Sequence, residues 1–329
     1  MKKHIWTICF SAVLFAYTLY VALDTFVIRR VYDANAVKVN TSMFATPLPS
    51  ATSTAVPAET DYQAEGTALP DVNTDVPTAT AEPTPVLPYQ DEDSYIDENI
   101  TIELSTYEEY GTAIYVADVR LSSAEYLKTA FAQNKYGRNI TEFTSEIART
   151  NEAILAVNGD YYGVQKKGFV IRNGVVYRDS ARGEDVLCIY ADGTFGIVSD
   201  NERTADELVE SGVWQAFTFG PALIKEGAVT VDENDEVDMA LASNPRTALG
   251  MIEPNHFVFV VSDGRTEESK GLSLYELAEF MKGLGVKTAY NLDGGGSSTM
   301  YFGGRVINKP TSGKTIKERK VSDIVYIGA

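Results

Sequence analysis

The chain is poor in the residues that build metal centres, disulfide frameworks and histidine-based active sites. Its 329 residues include two cysteines and two histidines, and Cys9 and His4 lie close to the N-terminus. Only Cys188 and His256 are left for a folded domain, which excludes a disulfide framework, cysteine-rich zinc sites and most histidine-based metal sites there. We expect Cys188 to be a small core residue on a strand.

Positive charge is also scarce. Lys and Arg total 28 against 46 Asp and Glu, for a formal net charge of -18 and a pI of about 4.6. Non-specific binding to nucleic acid depends on clustered Lys and Arg that displace counterions, so DNA and RNA are not expected partners. With 44% hydrophobic and 11% aromatic residues, the chain can bury a core, and at least one globular domain is expected.

An uncharged apolar run begins the chain, from Ile5 to Leu23, and extends past one acidic residue to Ile28. As a helix it is long enough to cross about 30 Å of hydrocarbon. A cleaved signal peptide is the alternative, because a short basic start precedes the run. The run is longer than usual for a signal peptide, however, and no clear small-residue cleavage site follows. We therefore predict a membrane anchor over residues 1–30.

Proline is concentrated directly after this run. Eight of the 12 prolines lie between about Thr41 and Gln90, among Thr, Ala, Ser and scattered acids. Such a segment cannot bury enough apolar surface to offset its chain entropy, so we predict a disordered stalk over residues 31–94. The function then lies in residues 95–329. An anchor followed by a stalk indicates a domain tethered to a membrane and held outside the cytoplasm.

The remaining region carries the turn and cap signals of a mixed α and β domain. Two-residue turns are predicted at Asn173-Gly174 and Asp192-Gly193, each between apolar strand-like runs. Capping boxes predict helix starts at Ser122, Thr204 and Ser273. The predicted fold class is α+β: a single sheet-dominated domain with hairpins and one strand-helix-strand crossover.

The runs NPRTALGMI and HFVFVVS predict a hairpin around a four-residue loop, Glu253 to His256. This register places Arg246 beside Asp263 at the open end of the hairpin. His256 then lies at the other end, about 20 Å away for six residues at roughly 3.3 Å each. Catalysis by a serine or cysteine paired with histidine would therefore lack its base.

Three apolar strands end in Asn or Asp followed by Gly. The helical pattern GLSLYELAEFMKGLG separates a strand ending at Asp263-Gly264 from one ending at Asp293-Gly294, which predicts a crossover with both strand ends at one edge of the sheet. Open α/β sheets bind their ligands at such an edge. The third strand ends at Asn158-Gly159-Asp160. A single Asp-Gly pair is also an ordinary turn signal. Three strand ends of the same kind indicate a functional site more strongly than one does.

The loop after Asp293 is rich in glycine and ends in hydroxyl side chains, Gly294-Gly295-Gly296-Ser297-Ser298-Thr299. Its backbone N–H groups can turn toward an anion without obstruction, and the Ser hydroxyls add donors. The loop matches neither a dinucleotide-binding fingerprint nor a Walker loop. Together with Arg246 and several carboxylates it suits a substrate with phosphate and sugar, because Arg binds phosphate oxygens bidentately and carboxylates serve in glycosyl transfer. A further hairpin is predicted to turn at Gly303-Gly304.

These segments resemble the phosphodiester glycosidase family over roughly residues 95–329. The resemblance lies in NGDYYG (158–163), NPRTALG (244–250), SDGR (262–265), the helix above, NLDGGGSSTM (291–300) and GGRVINKP (303–310). It implies a hydrolase that cleaves between a sugar anomeric carbon and a phosphodiester, in an envelope or extracellular glycopolymer such as an exopolysaccharide. A non-catalytic phosphoglycan-binding module and a glycosyl transferase that uses the same site remain the alternatives.

The resemblance also assigns roles residue by residue. It implies catalytic roles for Asp160, Asp263 and Asp293. It implies substrate binding by Asn158, Arg246, Gly294, Gly295, Gly296, Ser297 and Ser298. The sequence requires no cofactor and leaves a structural or catalytic divalent cation open. The expected partners are a phosphorylated glycan or sugar-1-phosphodiester and, through the N-terminal helix, a membrane.

Overall fold

The computed structural model describes residues 2–44, 88–235 and 243–328, which are built mainly from strands. The α-helices are α1 (Lys2–Phe26), α2 (Thr144–Thr150), α3 (Ala205–Glu210) and α4 (Leu274–Gly283). Short 3₁₀ turns cover Thr41–Phe44, Ala124–Tyr126, Ala132–Asn134 and Gly295–Ser297.

The strands in chain order are β1 (Arg30–Asp33), β2 (Tyr89–Gln90), β3 (Ser94–Ile96), β4 (Ile100–Glu109), β5 (Thr112–Leu121), β6 (Leu127–Phe131), β7 (Tyr136–Arg138), β8 (Leu155–Asn158), β9 (Val170–Arg172), β10 (Val175–Arg178), β11 (Asp185–Tyr190), β12 (Phe195–Ser199), β13 (Val213–Phe217), β14 (Ala222–Lys225), β15 (Ala228–Val229), β16 (Thr247–Glu253), β17 (His256–Ser262), β18 (Thr288–Asn291), β19 (Met300–Phe302), β20 (Arg305–Val306), β21 (Thr311–Ser312), β22 (Thr315–Ile316) and β23 (Asp323–Ile327).

Three sheets make up the domain. The first has nine strands in the order β15-β14-β18-β16-β17-β5-β4-β3-β2, the second has the order β10-β9-β13-β11-β12, and the third has the order β20-β19-β8-β23-β6. Two small ladders, β1-β7 and β21-β22, stand beside them. All strand pairs among the described residues are antiparallel. The predicted sheet-dominated α+β class is confirmed.

One apolar core is shared by the three sheets, and each sheet is covered on its other face by a helix. Alternate residues of β17 show the pattern: Phe257 and Phe259 enter the shared core, whereas Val258 and Val260 pack under α4. Helices α2 and α3 cover the third and second sheets in the same way. The unbroken apolar run of β17 therefore reflects burial on both faces. Each such side chain contributes about 1.5–3 kcal/mol by leaving water.

Local signals predicted most turns and caps. The Asn173-Gly174 turn is confirmed, with φ of 51° and 72° at the two positions, as is the Gly303-Gly304 turn between β19 and β20. The Asp192-Gly193 connection was predicted as a two-residue turn and is instead a three-residue loop, because the Tyr190 N–H donates to the Thr194 carbonyl. Cys188 is a buried core residue of β11, as expected.

Two of the three predicted capping boxes are confirmed. The hydroxyls of Thr204 and Ser273 accept hydrogen bonds from backbone N–H groups three residues on, at 3.2 and 3.1 Å. At the third position the cap is Ser123 rather than Ser122, and it opens only a 3₁₀ turn. Helix α2 follows Phe143, which has no side-chain oxygen, so a search for capping residues had no signal for it.

The register of the β16–β17 hairpin was predicted one residue out. The connection is the pair Pro254-Asn255 alone, because Asn255 takes a φ of 61° and Glu253 pairs directly with His256. A β-bulge between Met251 and Glu253 then shifts the pairing by one residue. Arg246 therefore lies opposite Ser262, whose N–H donates to the Arg246 carbonyl at 2.9 Å, and not opposite Asp263. His256 is a buried strand residue with Nε2 2.9 Å from an Asp118 carboxylate oxygen, and was wrongly placed in the turn.

The predicted crossover is confirmed. Strands β17 and β18 lie on either side of β16 and are both antiparallel to it, so they run parallel to each other with α4 between them in the chain. Their carboxyl ends therefore share one edge of the nine-stranded sheet. The third strand with the same kind of end is the one that finishes at Asn158. Asn158 belongs to β8 of the third sheet and reaches the edge from there.

The boundaries of the predicted stalk need correction at both ends. Strand β1 pairs with β7, Ala36 is buried, and the Phe44 ring packs edge-on against Trp214 at 4.9 Å between centroids. Strands β2 and β3 extend the nine-stranded sheet. Residues 31–44 and 88–94 are therefore ordered on the domain, and disorder was wrongly predicted for them. The rest of the predicted stalk, residues 45–87, lies outside the described residues.

Helix α1 has the composition of a membrane span. Its segment Trp6–Asp24 is long and apolar enough to cross a bilayer, and none of it is buried against the protein. A signal sequence near the N-terminus has the same features, so the helix by itself does not separate the two readings.

A buried ion cluster joins the second and third sheets. The Arg172 guanidinium in β9 lies 2.9 Å from an Asp160 oxygen and 2.8 Å from an Asp323 oxygen, and all three side chains are 1% exposed. Burial, opposed by Arg172 and reinforced by Asp160, raises the pKa of Asp323 to about 7. One guanidinium is thus shared by two carboxyl groups.

We expect Arg172→Met to lower the free energy of unfolding by about 3–5 kcal/mol, because it leaves a buried carboxylate without its cation. Urea unfolding followed by the fluorescence of buried Trp214 measures this loss. The exposed Arg305→Met is the control and should change stability by less than about 0.5 kcal/mol. Equal effects of the two substitutions would contradict a structural role for the cluster.

Candidate active site

A cavity of about 620 Å³ opens at the sheet edge where β17 and β18 end. Three stretches of chain contribute most of its wall: the loop after β8, the segment before β16, and the residues that follow β18. The described residues that line it are Tyr161, Gln165, Lys166, Lys167, Arg182, Phe219, Asn244, Arg246, Arg265, Asn291, Leu292, Asp293, Gly294, Gly295 and Arg319.

The charge of this wall is opposite to that of the chain as a whole. Its basic members are Lys166, Lys167, Arg182, Arg246, Arg265 and Arg319. Asp293 is the only acidic residue among the described lining residues. A cationic concave surface on a chain of net charge -18 focuses the field locally and favours an anionic ligand.

Asp293 lies at the centre of the polar contacts. Its Oδ2 accepts hydrogen bonds from Ser297 Oγ and from Arg319 Nη2, both at 2.6 Å. Burial raises the pKa of the Asp293 carboxyl, while Arg319 and Ser297 oppose the rise. A carboxyl group with a raised pKa in a cavity is a candidate acid, base or nucleophile.

Two arginines face the same space. Arg265 donates from Nε and Nη2 to the Asn244 side-chain oxygen, at 3.1 and 2.8 Å, and this fixes the plane of its guanidinium. Burial, with the nearby positive charge of Arg319, lowers the pKa of Arg265. Within residues 2–44, 88–235 and 243–328, no carboxylate forms an ion pair with Arg265. An anion between the two guanidiniums would relieve their repulsion.

Arg246 lines the cavity, as its predicted role in substrate binding requires. Its backbone N–H donates to Ser262 Oγ and its Nε to the Leu272 carbonyl, both at 2.9 Å. The first bond fixes the backbone and the second orients the side chain, and the residue is 3% exposed. The structure therefore brings Arg246 and Asp293 to one cavity, together with Gly294 and Gly295.

Asn158 supports the site from below and does not line it. Its Nδ2 donates to the Asp293 carbonyl at 2.6 Å, and its Oδ1 accepts from Thr247 Oγ1 at 2.8 Å and from the Thr299 N–H at 3.3 Å. The side chain is completely buried. It joins the end of β8 to the loop after β18.

Three N–H groups of the glycine loop, which was predicted as an anion cradle, bond to carbonyls of the protein. The N–H groups of Gly295, Ser297 and Ser298 donate to the carbonyls of Pro245, Gly294 and Gly295, at 2.7, 3.3 and 3.2 Å. These three N–H groups already have acceptors within the protein. Gly294 has no room for a side chain, because a Cβ there would lie 2.9 Å from the Pro245 carbonyl oxygen. Close packing against the segment before β16 is therefore the reason that position 294 requires a glycine.

The remaining predicted loop residues, Gly296 and Ser298, are buried outside the cavity lining, as is Ser297. Ser297 still contributes, because its hydroxyl donates to Asp293 and accepts from Arg319 Nε at 2.8 Å. The hydroxyl oxygen of Ser298 is buried with no hydrogen-bond partner in the described part of the chain.

Two of the three predicted catalytic carboxylates are absent from the described lining. Asp160 is held by Arg172 and accepts from the Thr218 N–H at 3.0 Å. Asp263 is 4% exposed and accepts from the Lys309 N–H at 2.8 Å, from Asn308 at 3.2 Å and from Tyr115 at 3.2 Å. Both bonding patterns are typical of structural carboxylates.

Sequence reasoning missed several lining residues. Arg265 was quoted within SDGR without a role, and Arg319 was not considered, although KERK (317–320) is a basic run in an acidic chain. The pair Lys166-Lys167 is similarly conspicuous. Tyr161 has a φ of 66°. The guanidinium carbon of Arg319 lies 5.9 Å from the centroid of the Tyr161 ring. Short basic runs in an acidic chain were the sequence signal that could have identified these residues.

No group of three or more His, Cys, Asp or Glu side chains that could hold a metal ion is found among the described residues. A cation site therefore has no support from the part of the chain that the structure describes.

The chain belongs to the phosphodiester glycosidase family, whose model matches residues 151–328, more than half of its length. It is 27% identical over 198 residues to the SPbeta prophage-derived uncharacterized protein YomE of Bacillus subtilis, covering 58% of this chain and 30% of that protein. It is 34% identical over 119 residues to human N-acetylglucosamine-1-phosphodiester alpha-N-acetylglucosaminidase, covering 35% of this chain and 23% of the human protein.

The fold is similar to that of a solved relative. The catalytic domain of the zebrafish N-acetylglucosamine-1-phosphodiester alpha-N-acetylglucosaminidase, auto-inhibited by its pro-peptide, matches with a TM-score of 0.56 and 22% identity over 70% of this chain and 83% of that chain. The sequence matches cover at most 34% of the curated relatives' own length.

We expect Arg265→Gln to weaken the binding of a dialkyl phosphate by about 10- to 100-fold, the equivalent of about 1.5–3 kcal/mol for a hydrogen bond to a charged group. Isothermal titration calorimetry at low salt measures the dissociation constant. Arg120→Gln is the matched control, because Arg120 contacts His256 at the opposite end of the β16–β17 hairpin. Unchanged binding in Arg265→Gln would remove this residue from the anion site.

Proposed function

We propose that the chain is a phosphodiester glycosidase, a hydrolase that cleaves between the anomeric carbon of a sugar and a phosphodiester in an envelope or extracellular glycopolymer. The cavity carries this proposal, because it combines several cations with a single carboxylate among its described lining residues. An excess of cationic side chains fits a negatively charged substrate, and a single carboxylate fits a reaction that uses one carboxyl group.

The phosphate belongs at the arginine side of the cavity. Arg265 and Arg319 present planar guanidiniums, which bind phosphate oxygens through paired hydrogen bonds. Arg319 is already oriented by Asp293 and Ser297. The phosphodiester therefore lies next to the carboxylate.

The sugar belongs next to the uncharged lining residues. Among these, Phe219 and Leu292 supply apolar surface, and Asn291 supplies an acceptor. Its Nδ2 is held by the Gly220 carbonyl at 2.8 Å, while its buried Oδ1 has no partner among the described residues. A sugar hydroxyl or amide N–H would satisfy this oxygen, which otherwise costs the desolvation of an unpaired acceptor.

One carboxylate is sufficient for this chemistry. Glycosidases that expel an alcohol use a second carboxyl group to protonate the leaving oxygen. A departing phosphomonoester is already a weak base, and Arg265 and Arg319 would stabilise its charge. Asp293 then acts in one of two ways as the bond from the anomeric carbon to the phosphate oxygen breaks: it deprotonates the water that attacks this carbon, or it attacks the carbon itself and water hydrolyses the resulting glycosyl ester. Asp263 and Asp160 hold the surrounding backbone.

The N-terminal helix favours a location outside the cytoplasm, with α1 as the anchor that ties the enzyme to its membrane. A cleaved signal peptide would put the same domain outside without the anchor. An envelope glycopolymer or exopolysaccharide is the substrate class accessible to either form.

The test is product analysis after incubating the full-length protein with a methyl phosphodiester of N-acetylglucosamine 1-phosphate. Free sugar and methyl phosphate are the expected products. Transfer of the sugar to an added alcohol in preference to water would show a transferase. Binding without any product would favour a non-catalytic phosphoglycan-binding module and overturn the proposal.

We expect Asp293→Asn to lower kcat by at least about 1000-fold, roughly 4 kcal/mol of barrier, with little change in binding, because the amide keeps the shape without the charge. Asp206→Asn, an exposed carboxylate on α3 outside the cavity lining, is the matched control. Wild-type kcat in Asp293→Asn would remove this residue from the chemistry.

The pH profile provides a second check. Burial raises the pKa of Asp293, and the group acts as a carboxylate, so kcat should fall as the pH drops through that raised value. The acid limb should therefore lie above about pH 4, the ordinary range for Asp. An acid limb at or below that range would contradict the assignment.

A further inference from the structure

Helix α1 joins the domain with almost no spacer. The helix ends at Phe26 and β1 begins at Arg30, where Arg30 pairs with Arg138 and Val31 with Gly137 of β7. The three intervening residues can span only about 10 Å when fully extended. The β7 edge of the domain is therefore held close to the end of the helix.

Side chains of the domain also contact the end of the helix. Asn139 Nδ2 donates to the Ile28 carbonyl at 2.9 Å and to the Asp24 carbonyl at 3.4 Å. Arg138 Nη1 lies 3.8 Å from an Asp24 carboxylate oxygen. Carbonyls at the end of a helix lack intrahelical partners, so these contacts give the helix end a defined place on the domain.

The same corner borders the cavity. The Asn139 N–H donates to the Gly163 carbonyl at 3.0 Å. Gly163 lies within the loop that supplies Tyr161, Gln165 and Lys166 to the cavity wall. One residue thus bridges the end of α1 and the rim of the cavity.

The chain stays on the domain after β1, through residues 30–44, which we call the docking segment. The Ala36 N–H donates to the Asn134 carbonyl at 2.9 Å, and the Tyr177 hydroxyl donates to the Ala36 carbonyl at 3.0 Å. The Asn40 N–H donates to the Asn173 carbonyl at 2.8 Å. The chain is therefore already attached to the domain between Arg30 and Phe44, directly after the helix.

We propose that the docking segment holds the mouth of the cavity against the bilayer crossed by α1, and that the substrate is a sugar-1-phosphodiester carried on a lipid of the same membrane. The inference rests on the proposed function for the reaction and on retention of α1. Its physical basis is the short path from the helix end through Asn139 to the cavity rim. The exposed Lys166 and Lys167 on that rim suit a surface of anionic head groups.

The first experiment tests the placement without reference to activity. A site for a specific protease is inserted after residue 66 of the full-length protein in membranes, and the chain is cut to completion. We expect the C-terminal fragment to stay with the membranes, because the docking segment still binds it. Release of the wild-type fragment into the supernatant would overturn the proposal.

Variants of the docking segment make this test specific without altering the rest of the domain. Val31→Pro removes a backbone donor of β1, and Ala36→Arg puts a charge at a position that is 7% exposed. The two changes together should release the fragment after cutting. Val37→Arg, at a position that is 61% exposed, is the matched control and should not.

The second experiment tests the substrate. The full-length protein in lipid vesicles is given a phosphodiester of N-acetylglucosamine 1-phosphate and a long-chain alcohol in the same vesicles, or the soluble methyl phosphodiester. We expect Val31→Pro/Ala36→Arg to slow cleavage of the lipid-borne substrate at least 10-fold and that of the soluble substrate less than twofold.

The outcomes separate the two proposals. If the wild-type protein cleaves neither substrate, the proposed function fails. If it cleaves the soluble substrate while the variant loses no activity on the lipid-borne one, only the membrane inference fails. A mature protein that begins after residue 26 would also overturn the membrane inference and leave the proposed function standing.

Discussion

The candidate site depends on one buried amide that joins two sheets. Asn158 ends β8 of the third sheet, and its side chain binds the Asp293 carbonyl and Thr247 of the nine-stranded sheet. The shared apolar core brings the two sheets into contact, and the amide fixes the register in which their ends meet. A fully buried side chain whose donor and acceptor are both satisfied tolerates little displacement. The position of Asp293 follows from this contact.

Electrostatics distinguish the cavity from the rest of the surface. An acidic chain repels anions over most of its surface, yet the cavity concentrates guanidinium and ammonium groups around one carboxylate. Arg319 bonds to Asp293, and Arg265 is oriented by Asn244. The two charges that remain close together favour a ligand that is itself an anion. Burial raises the pKa of Asp293, and the neighbouring Arg319 opposes that rise.

The N-terminal segment changes the picture of how the domain is attached. Composition alone suggests that everything between the apolar run and the first long strand is a passive linker. The contacts of Ala36 and Phe44 show instead that the chain docks as soon as it leaves α1. The chain is thus attached to the domain directly after α1, over residues 30–44.

The sequence by itself determined the features that depend on neighbouring residues. The Asn173-Gly174 turn, the Thr204 and Ser273 caps, the α4 helix and the crossover all follow from local backbone preferences and from apolar periodicity. The β16–β17 register escaped prediction by one residue, because a β-bulge between Met251 and Glu253 shifts the pairing along the rest of the hairpin. Only the tertiary structure decided that Asp293 faces the cavity while Asp160 and Asp263 do not, since the same residue type is reactive or structural according to the donors around it. It alone brought Arg265 and Arg319 together, because residues so far apart in the chain meet only when the sheets pack around their common core.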